Sequence, residues 1–172
     1  PRVDTPIETL RERELKSFSK GFKSKCNFVM MAHLLMPRLD PKFPSSLSKT
    51  IIQKLLREEL RYTKIVITDD MDMKAITDHF GAEEAPVLAI EAGCDIVLYR
   101  TEATARKAYT AALKALEEGK LSIDRVCESA DRVREIKRQT LLPYAPVDLT
   151  ATSLFVGTQS SQELIQKIPS ID

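Results

Sequence analysis

The segment KIVITDDMDMKAI, residues 64–76, predicts both the fold of the chain and the position of its functional site. It begins with a run of β-branched apolar residues, Ile65 to Ile67, which is typical of a strand buried on both faces. The run ends at three acidic residues, Asp69, Asp70 and Asp72. Like charges this close repel one another, and a buried carboxylate is costly without a partner, so the cluster requires a physical explanation.

Two further segments have the character of this strand. NFVMMAH (27–33) and DIVLY (95–99) are apolar runs of strand length. Apolar residues recur at helical spacing in 9–25, 48–61, 83–93, 101–119 and 122–138, and a short helix or turn is expected at 73–81. Candidate N-caps are Ser48, Thr101 or Thr104, and Ser122, and Gly119 is a candidate C-cap. Apolar strands separated by amphipathic helices predict an α/β fold with three βα units around a parallel sheet.

The tail of the chain is less regular than the rest. Within it, TSLFVG (152–157) can form a further short strand. We therefore predict a boundary after residue 142, with residues 1–142 in the βα region and residues 143–172 in a C-terminal tail or the start of a following segment.

The composition excludes several classes of protein. With 172 residues, 43% apolar, 30% charged and a net charge of +1, the chain indicates a globular domain whose partners are neither nucleic acid nor a membrane. The three cysteines lack metal-ligand spacing, and Cys26 and Cys94 adjoin apolar runs, so both are expected to be buried. This cysteine usage favours a reducing, cytoplasmic setting. With only two histidines and no HExxH motif, no metal site is expected.

Each predicted strand is followed by polar residues, which are His33, then Asp69 and Asp70, then Arg100. Because the carboxyl ends of parallel strands lie along one edge, these side chains are expected to share a face. Three interpretations of the aspartates are open: a helix cap with solvated neighbours, a Mg²⁺ site for phosphoryl transfer, or the carboxylate nucleophile of a glycosidase. The second lacks the glycine-rich phosphate loop that such chemistry uses.

The remaining polar candidates do not choose among these interpretations. A histidine such as His33, beside an apolar run, is more often a hydrogen-bonded core residue than a catalyst. His79 is expected to have a local packing or capping role, and Arg100 either pairs with a strand-end aspartate or begins a surface loop.

Five segments, taken together, resemble glycoside hydrolase family 3, in its bacterial β-N-acetylhexosaminidase branch. In chain order that branch carries VM-x-AH, P-x-LD, P-x-x-LS, LLR-x-x-L, TD-[DA]-[LM]-x-M-x-[AG]-I and A-x-x-AG-x-D. The matching segments are VDTPIETLRERELKSF (3–18), FVMMAHLLMPRLDP (28–41), PSSLSKTIIQKLLREELRY (44–62), VITDDMDMKAITDHFG (66–81) and AIEAGCDIVLY (89–99), and the similarity covers roughly residues 1–138.

The resemblance implies a fold and a set of site residues. The family's catalytic domain is a TIM-like (β/α)₈ barrel, of which this chain would form the C-terminal portion, about three βα units. Asp69 matches the family's nucleophile. His33, Asp70 and Met73 are then expected in the substrate-binding site, with Met73 shaping the pocket wall and His33 supporting the sugar. Asp70 matches a position that is alanine in some relatives.

The implied activity is retaining hydrolysis of terminal β-linked N-acetylglucosamine through a covalent Asp69 intermediate, with no cofactor. The carbohydrate substrate would include muropeptides and other cell-wall fragments. The family's acid/base histidine and its sugar-binding residues belong to segments that would precede Pro1. The chain is therefore expected to be a fragment that is inactive and poorly soluble or associated by itself, and that needs an N-terminal half of the barrel as its partner.

Three other interpretations are open beside this one. The chain can be a non-catalytic or split-protein fragment, or a β-glucosidase of the same family, since relatives with this barrel also cleave plain β-glucosides. An unrelated metal-dependent phosphohydrolase is the third.

Overall fold

The three predicted strands form one parallel sheet in the computed structural model, which describes residues 1–168. The strands are β1 (Phe28–Met31), β2 (Ile65–Asp70) and β3 (Ile96–Leu98), and they lie in the order β1-β2-β3. Parallel strands in chain order with helices between them are the arrangement of neighbouring strands in a (β/α)₈ barrel. The prediction of an α/β fold built from a portion of such a barrel is therefore confirmed.

The helices between and around the strands correspond to the predicted amphipathic segments. They are α1 (Ile7–Glu12), α2 (Glu14–Lys23), a π-helix (Thr50–Glu59), α3 (Lys74–Thr77), α4 (Glu84–Ala92), α5 (Glu102–Glu117) and α6 (Ile123–Leu141). Two predicted N-caps accept backbone N–H groups: the Ser48 hydroxyl accepts from Ile51 at 3.1 Å and the Thr101 hydroxyl from Thr104 at 3.2 Å. Gly119 follows α5 with a φ of 68°, the left-handed geometry that favours glycine at a helix end.

Two local features depart from regular α-helix. The single helix predicted over 9–25 is interrupted at Arg13, whose φ of −116° and ψ of −81° lie outside helical values. In the segment after β1, the Leu60 N–H donates to the carbonyl of Leu55, five residues earlier, at 2.9 Å. This wider turn defines the end of the π-helix. Neither feature has a glycine or proline at the break, so no residue type marks them in the sequence.

The sheet has one covered face along β1. Val29 and Met31 are buried and belong to a core cluster with Ile51, Ile52 and Leu56 of the π-helix. The alternate residues of the strand, Phe28 and Met30, are 47% and 54% exposed. Because successive strand side chains point to opposite faces, the helices cover one face of β1 and leave the other open within the described residues.

The central strand is more deeply buried than β1. Ile65, Val66 and Thr68 are all at most 1% exposed. Burial on both faces is what the uninterrupted β-branched run predicts for a strand flanked by two others. The end of this strand is therefore held in a rigid, well-packed setting.

The chain divides into two compact units, Pro1–Lys137 and Arg138–Asp172. The predicted domain boundary after residue 142 stays a prediction. In the second unit, the strand predicted at 152–157 is wrong, because Thr152–Phe155 forms the short helix α7. Asp148 begins this region by accepting the Thr150 N–H at 2.9 Å, and the resulting 3₁₀ turn at Leu149–Ala151 leads directly into helix. A short apolar run is ambiguous between strand and helix, and local capping decides it here.

The last described element of the second unit is α8 (Gln159–Gln166). The Thr158 hydroxyl caps it by accepting the Ser161 N–H at 3.3 Å. No helix in the described part of the chain is long and apolar enough to cross a membrane.

The cysteines differ in their environments. Cys94 is fully buried, as predicted, and burial raises the pKa of its thiol to about 12. The expectation that Cys26 is buried is wrong, because Cys26 lies in the exposed turn after α2, where its thiol donates to the Phe28 carbonyl at 3.0 Å. Cys127 is also exposed, and all three cysteines are free thiols.

Candidate active site

The central strand places two carboxylates at the carboxyl edge of the sheet. Asp69 and Asp70 are the last residues of β2, and both are partly buried. Binding and catalytic groups of parallel α/β folds lie at this edge, because the loops that follow the strands all start there.

The three aspartates are linked through backbone N–H groups rather than directly to one another. Asp69 Oδ1 accepts the Asp70 N–H at 2.8 Å, and Asp70 Oδ1 accepts the Asp72 N–H at 3.0 Å. Each carboxylate thereby stabilises the turn that carries the next one. The remaining Asp69 oxygen, Oδ2, accepts no hydrogen bond from the rest of the described chain. Asp69 is thus oriented through one oxygen and has the other available.

Asp72 joins this turn to the next βα unit. Its Oδ2 accepts the Arg100 N–H at 3.2 Å and the Thr104 hydroxyl at 2.9 Å. Arg100 follows β3, and Thr104 lies in the first turn of α5. Burial, followed by the nearby Asp72 carboxylate, raises the pKa of Tyr99 to about 12, so this tyrosine stays a neutral neighbour. Arg100 is exposed after β3, and it bonds Asp72 through its backbone N–H rather than pairing its guanidinium with Asp69 or Asp70, so it begins a surface loop.

Thr68 accounts for the geometry of the strand end. The register between β2 and β3 shifts between Ile67 and Asp70. At this shift the Leu98 N–H donates to the Thr68 hydroxyl at 3.0 Å, so a side chain replaces the backbone acceptor of the ladder. The Met71 N–H then donates to the Leu98 carbonyl at 2.9 Å and restores the pairing. Such irregularities re-aim side chains at the ends of strands, and this one lies beside Asp69.

His33 lies two residues after β1 and is 3% exposed. Its Nδ1 lies 2.7 Å from the Ser46 hydroxyl, and its Nε2 lies 3.0 Å from the Asp70 carbonyl oxygen. Both ring nitrogens are therefore bound within the protein. The structure brings His33 to the backbone of the β2–α3 turn, next to Asp69.

Met73 is the exposed member of the predicted site. It is 41% exposed at the start of α3, and its N–H donates to the Asp70 carbonyl at 3.0 Å. Its expected role in shaping the pocket wall stays a prediction. His79 is exposed, and its backbone N–H donates to the Ile76 carbonyl at 3.0 Å, which is a local role in the turn after α3.

Sequence reasoning missed a buried carboxylate, Asp95, directly before β3. Its side chain is 0% exposed and forms ion pairs with Arg57 at 2.7 Å, Arg125 at 3.1 Å and Arg132 at 2.9 Å. It also accepts the Val66 N–H at 2.9 Å, and so connects α6 and the π-helix to the central strand. The only sequence signal was its position in the matched phrase AGCD, since the three arginines come from distant segments.

The electrostatics of this cluster favour the charged carboxylate. Burial by itself raises the pKa of Asp95, but the Val66 N–H and the guanidinium groups of Arg57 and Arg125 outweigh it, so the pKa of Asp95 lies below its usual value. Burial lowers the pKa of Arg57, yet a guanidinium remains protonated at any physiological pH. Asp95 is therefore an ionised, fully compensated group that holds elements together.

The described residues contain no convergent group of three or more His, Cys, Asp and Glu side chains of the kind that holds a metal ion. In particular, the Asp70 and Asp72 carboxylates are turned toward backbone N–H groups of their own turn and of the residue after β3. The end of β2 is thus a fixed turn in which Asp69 and Asp70 each use one carboxylate oxygen to accept a backbone N–H and keep the other oxygen available. A carboxylate held in this way can act as a nucleophile or as an acid/base group.

Comparison with known proteins identifies relatives of this chain. The Glycosyl hydrolase family 3 N terminal domain matches residues 1–136. Beta-hexosaminidase A of Pseudoalteromonas piscicida is 30% identical over an alignment of 183 residues that covers 95% of this chain and 30% of that protein. Beta-hexosaminidase of Idiomarina loihiensis is 32% identical over 142 residues, covering 80% of this chain and 42% of that protein.

A solved structure has the same fold over nearly the whole chain. The structure of a glycoside hydrolase family 3 beta-N-acetylglucosaminidase from Paenibacillus sp. superposes with a TM-score of 0.86 and 32% identity, over 96% of this chain and 32% of that one. The chain thus spans between 30% and 42% of the length of the relatives named here.

Proposed function

The chain belongs to glycosyl hydrolase family 3, and on that premise we propose that Asp69 is the nucleophile of a retaining hydrolysis that releases terminal β-linked N-acetylglucosamine. The observation that carries this proposal is the Asp69 carboxylate at the carboxyl end of the central strand, with Oδ1 held by the Asp70 N–H at 2.8 Å and Oδ2 available. A nucleophile must be fixed in direction and free at one atom, and Asp69 meets both conditions.

The reaction proceeds in two displacements at one carbon. Asp69 Oδ2 attacks the anomeric carbon, the bond to the aglycone oxygen breaks, and a general acid protonates that oxygen. Water then attacks the same carbon and gives its proton to the acid's conjugate base, and the bond to Asp69 breaks. Two inversions retain the configuration of the sugar. The chemistry uses positioned protein groups and water, without a cofactor.

Asp70 and Asp72 are not assigned the nucleophilic role, because Asp69 is the residue that matches the family's nucleophile and Asp70 matches a position that is alanine in some relatives. The Asp70 carboxylate accepts the Asp72 N–H. The Asp72 carboxylate accepts the Arg100 N–H and the Thr104 hydroxyl. Both side chains therefore shape the turn that presents Asp69. Met73, exposed at the start of α3, forms part of the wall beside the sugar.

The general acid/base belongs to residues other than the two histidines of this chain. His33 has both ring nitrogens bound to Ser46 and Asp70, and His79 is exposed in the turn after α3. Hydrolysis of an ordinary glycoside by the 172-residue chain alone is therefore expected to be slow. A segment from the N-terminal part of a relative's barrel, added as a separate chain, would supply the acid/base and raise the rate.

We infer the substrate class from the activities in the names of the relatives. Two are beta-hexosaminidases, and the structural neighbour is a beta-N-acetylglucosaminidase. Terminal N-acetylglucosamine on cell-wall fragments such as muropeptides is the corresponding substrate. A cytoplasmic setting for this reaction is part of the proposal, supported by the three free thiols.

A covalent trap tests the nucleophile separately from the general acid. A fluorinated N-acetylglucosaminyl fluoride carries a leaving group that departs without protonation, so Asp69 alone can form the glycosyl-enzyme. Intact-protein mass spectrometry is expected to show one sugar adduct on the wild-type chain, and peptide mapping is expected to place it on Asp69. The same reagent in the glucose series tests the β-glucosidase alternative.

The matched control is a second aspartate in the same region. Asp69→Asn is expected to abolish the adduct, because an amide is a poor nucleophile, whereas Asp78→Asn, at an exposed position after α3, leaves labelling unchanged. An adduct that persists in Asp69→Asn contradicts the assignment of the nucleophile. Labelling by the glucose reagent in preference to the N-acetylglucosamine reagent contradicts the substrate class.

A further inference from the structure

The protonation of the His33 ring follows from its two partners. A carbonyl oxygen only accepts hydrogen bonds, so the 3.0 Å contact with the Asp70 carbonyl requires a proton on His33 Nε2. In the neutral ring Nδ1 is then an acceptor, and the Ser46 hydroxyl, 2.7 Å away, donates to it. The geometry therefore selects the Nε2–H tautomer of the buried imidazole.

Ser46 is itself held by the loop that follows β1. It is 0% exposed, and its carbonyl accepts the Cys94 thiol at 3.5 Å. The neighbouring Ser45 hydroxyl donates to the Ala32 carbonyl, and its N–H donates to the Leu34 carbonyl at 2.8 Å. The serine pair thus fastens the loop to both sides of His33. This arrangement gives a physical reason for the two adjacent serines of the segment PSSLS (44–48), which the position of the nucleophile does not explain.

The second ring nitrogen of His33, Nε2, bonds Asp70, the residue next to Asp69. Asp70 uses its carbonyl to accept from His33 and Met73, and its N–H to donate to Asp69 Oδ1 at 2.8 Å. Holding the Asp70 carbonyl restricts the orientation of that residue's backbone, and hence the direction of its N–H. The side-chain orientation of Asp69 is therefore coupled to the His33 imidazole through the backbone of Asp70.

We infer that His33 is a positioning residue for Asp69, acting through the Asp70 carbonyl with Ser46 as its support, and that it does not contact the sugar. This inference rests on the proposed role of Asp69 as nucleophile. It assigns the matched AH dipeptide a task different from the substrate contact expected from the sequence. Groups that orient a reacting side chain contribute to rate by excluding unproductive geometries.

The tautomer provides a test that needs no turnover. The chain contains two histidines, so long-range ¹H–¹⁵N spectra of the ¹⁵N-histidine-labelled protein show two rings, and His79→Gln identifies the signals of His33. We expect His33 in the Nε2–H form and shifted Asp69 and Asp70 amide signals in Ser46→Ala. An Nδ1–H tautomer, or Asp69 and Asp70 signals that do not respond to Ser46→Ala, overturns the inference.

The trapping reaction provides the functional test. His33→Leu is expected to slow glycosyl-enzyme formation by about tenfold to a hundredfold, because a small misplacement of a reacting group can cost up to about a hundredfold in rate. His33→Gln retains a donor near the Nε2 position and is expected to recover part of this loss. The exposed His79→Gln variant should label at the wild-type rate.

Binding of N-acetylglucosamine separates positioning from substrate contact. The dissociation constant of the sugar, measured by titration, is expected to stay within about twofold of wild type in Ser46→Ala and His33→Gln, since neither residue contacts the ligand. A large loss of sugar affinity with an unchanged trapping rate overturns the inference in favour of substrate contact.

The design distinguishes the two proposals. If the wild-type chain takes no label while the spectra show the expected tautomer and amide shifts, the proposed function fails and the coupling of His33 to the Asp69 turn stands. If the wild-type chain takes label and His33→Leu, folded by circular dichroism, labels at the same rate, the positioning role fails and the nucleophile stands. Should His33→Leu not fold, Ser46→Ala provides the comparison.

Discussion

At the scale of single residues, Asp95 is stabilised by charge in a site that water does not reach. Its side chain is 0% exposed and meets three guanidinium groups, together with the Val66 N–H and the Ser129 hydroxyl. Removing a carboxylate from such a site leaves buried cations without a counter-charge, which is strongly destabilising. Asp95 has no part in the proposed reaction, yet it holds β2 three residues before Asp69. The stability of the site therefore depends on a residue outside it.

Asp95→Asn is expected to lower the free energy of unfolding by about 3 kcal/mol at neutral pH, because the uncompensated arginines stay buried. Urea unfolding monitored by circular dichroism measures this. The control, Asp131→Asn, removes an exposed carboxylate paired with Arg134 at 3.0 Å, and is expected to cost less than about 1 kcal/mol. Equal stabilities of the two variants would contradict the structural role of Asp95.

The same cluster predicts a dependence of stability on pH. The pKa of Asp95 is lowered in the folded state, so its contribution is fully present above the ordinary aspartate pKa of about 3.9 and is lost as the pH falls through the lower folded value. The difference in unfolding free energy between wild type and Asp95→Asn should therefore shrink between neutral pH and pH values below about 3.9. A difference that stays constant over this range would show that the charge of Asp95 is not what stabilises the fold.

At the scale of secondary-structure elements, the β2–α3 turn is attached on two sides. Toward β1 it is bound through the Asp70 carbonyl to His33, and toward α5 it is bound through Asp72 to Thr104. The turn buries one apolar side chain, Met71, which is 2% exposed, whereas Met73 is exposed and the aspartates are only partly buried. Hydrogen bonds to neighbouring elements order the polar part of the turn, and their loss should increase its local opening.

Thr104→Val tests the attachment to α5. Valine has a shape close to that of threonine, but it removes the hydroxyl that donates to Asp72 at 2.9 Å, so the expected loss is about 1 kcal/mol of unfolding free energy. Hydrogen–deuterium exchange of residues 69–77 should become faster. In Thr110→Val, the removed hydroxyl bonds only within α5, to the Arg106 carbonyl, and exchange in 69–77 should not change. Unchanged exchange in Thr104→Val would show that Asp72 does not hold the turn.

At the scale of the whole molecule, the sheet has an open apolar face beside its edge strand. Phe28 and Met30 are about half exposed on β1, which pairs with β2 on one side only within the described residues. Unpaired strand edges with apolar side chains favour association between chains. The expectation of poor solubility or association drawn from the sequence stays a prediction, and this surface is its physical basis.

Met30→Lys is expected to weaken self-association, because it places a charge on the open face of the edge strand without altering the buried face. Sedimentation velocity over a range of protein concentrations measures the effect. The control is Ile123→Lys, which changes an exposed apolar residue at the start of α6 and should leave association as in wild type. A wild-type chain that sediments as a monomer at all concentrations contradicts the prediction.

Local patterns in the sequence determined most of the elements and the location of the candidate site. Strand and helix periodicity reports which faces are buried, and it predicted the three strands, the main helices and the position of Asp69 at the end of β2. The matched phrases identified the family, because they preserve residue types at fixed spacing. Both kinds of information are contained within short stretches of chain.

Only the tertiary structure decided which groups meet. The groups that bond the side chains of His33, Asp72 and Asp95 lie between 13 and 38 residues away in sequence, so no local spacing reports them. The break at Arg13, the exposed Cys26 and the helix at 152–155 depend likewise on packing and capping that periodicity does not encode. Periodicity determines which side of an element is buried, whereas the pairing of polar groups is decided when distant segments pack together.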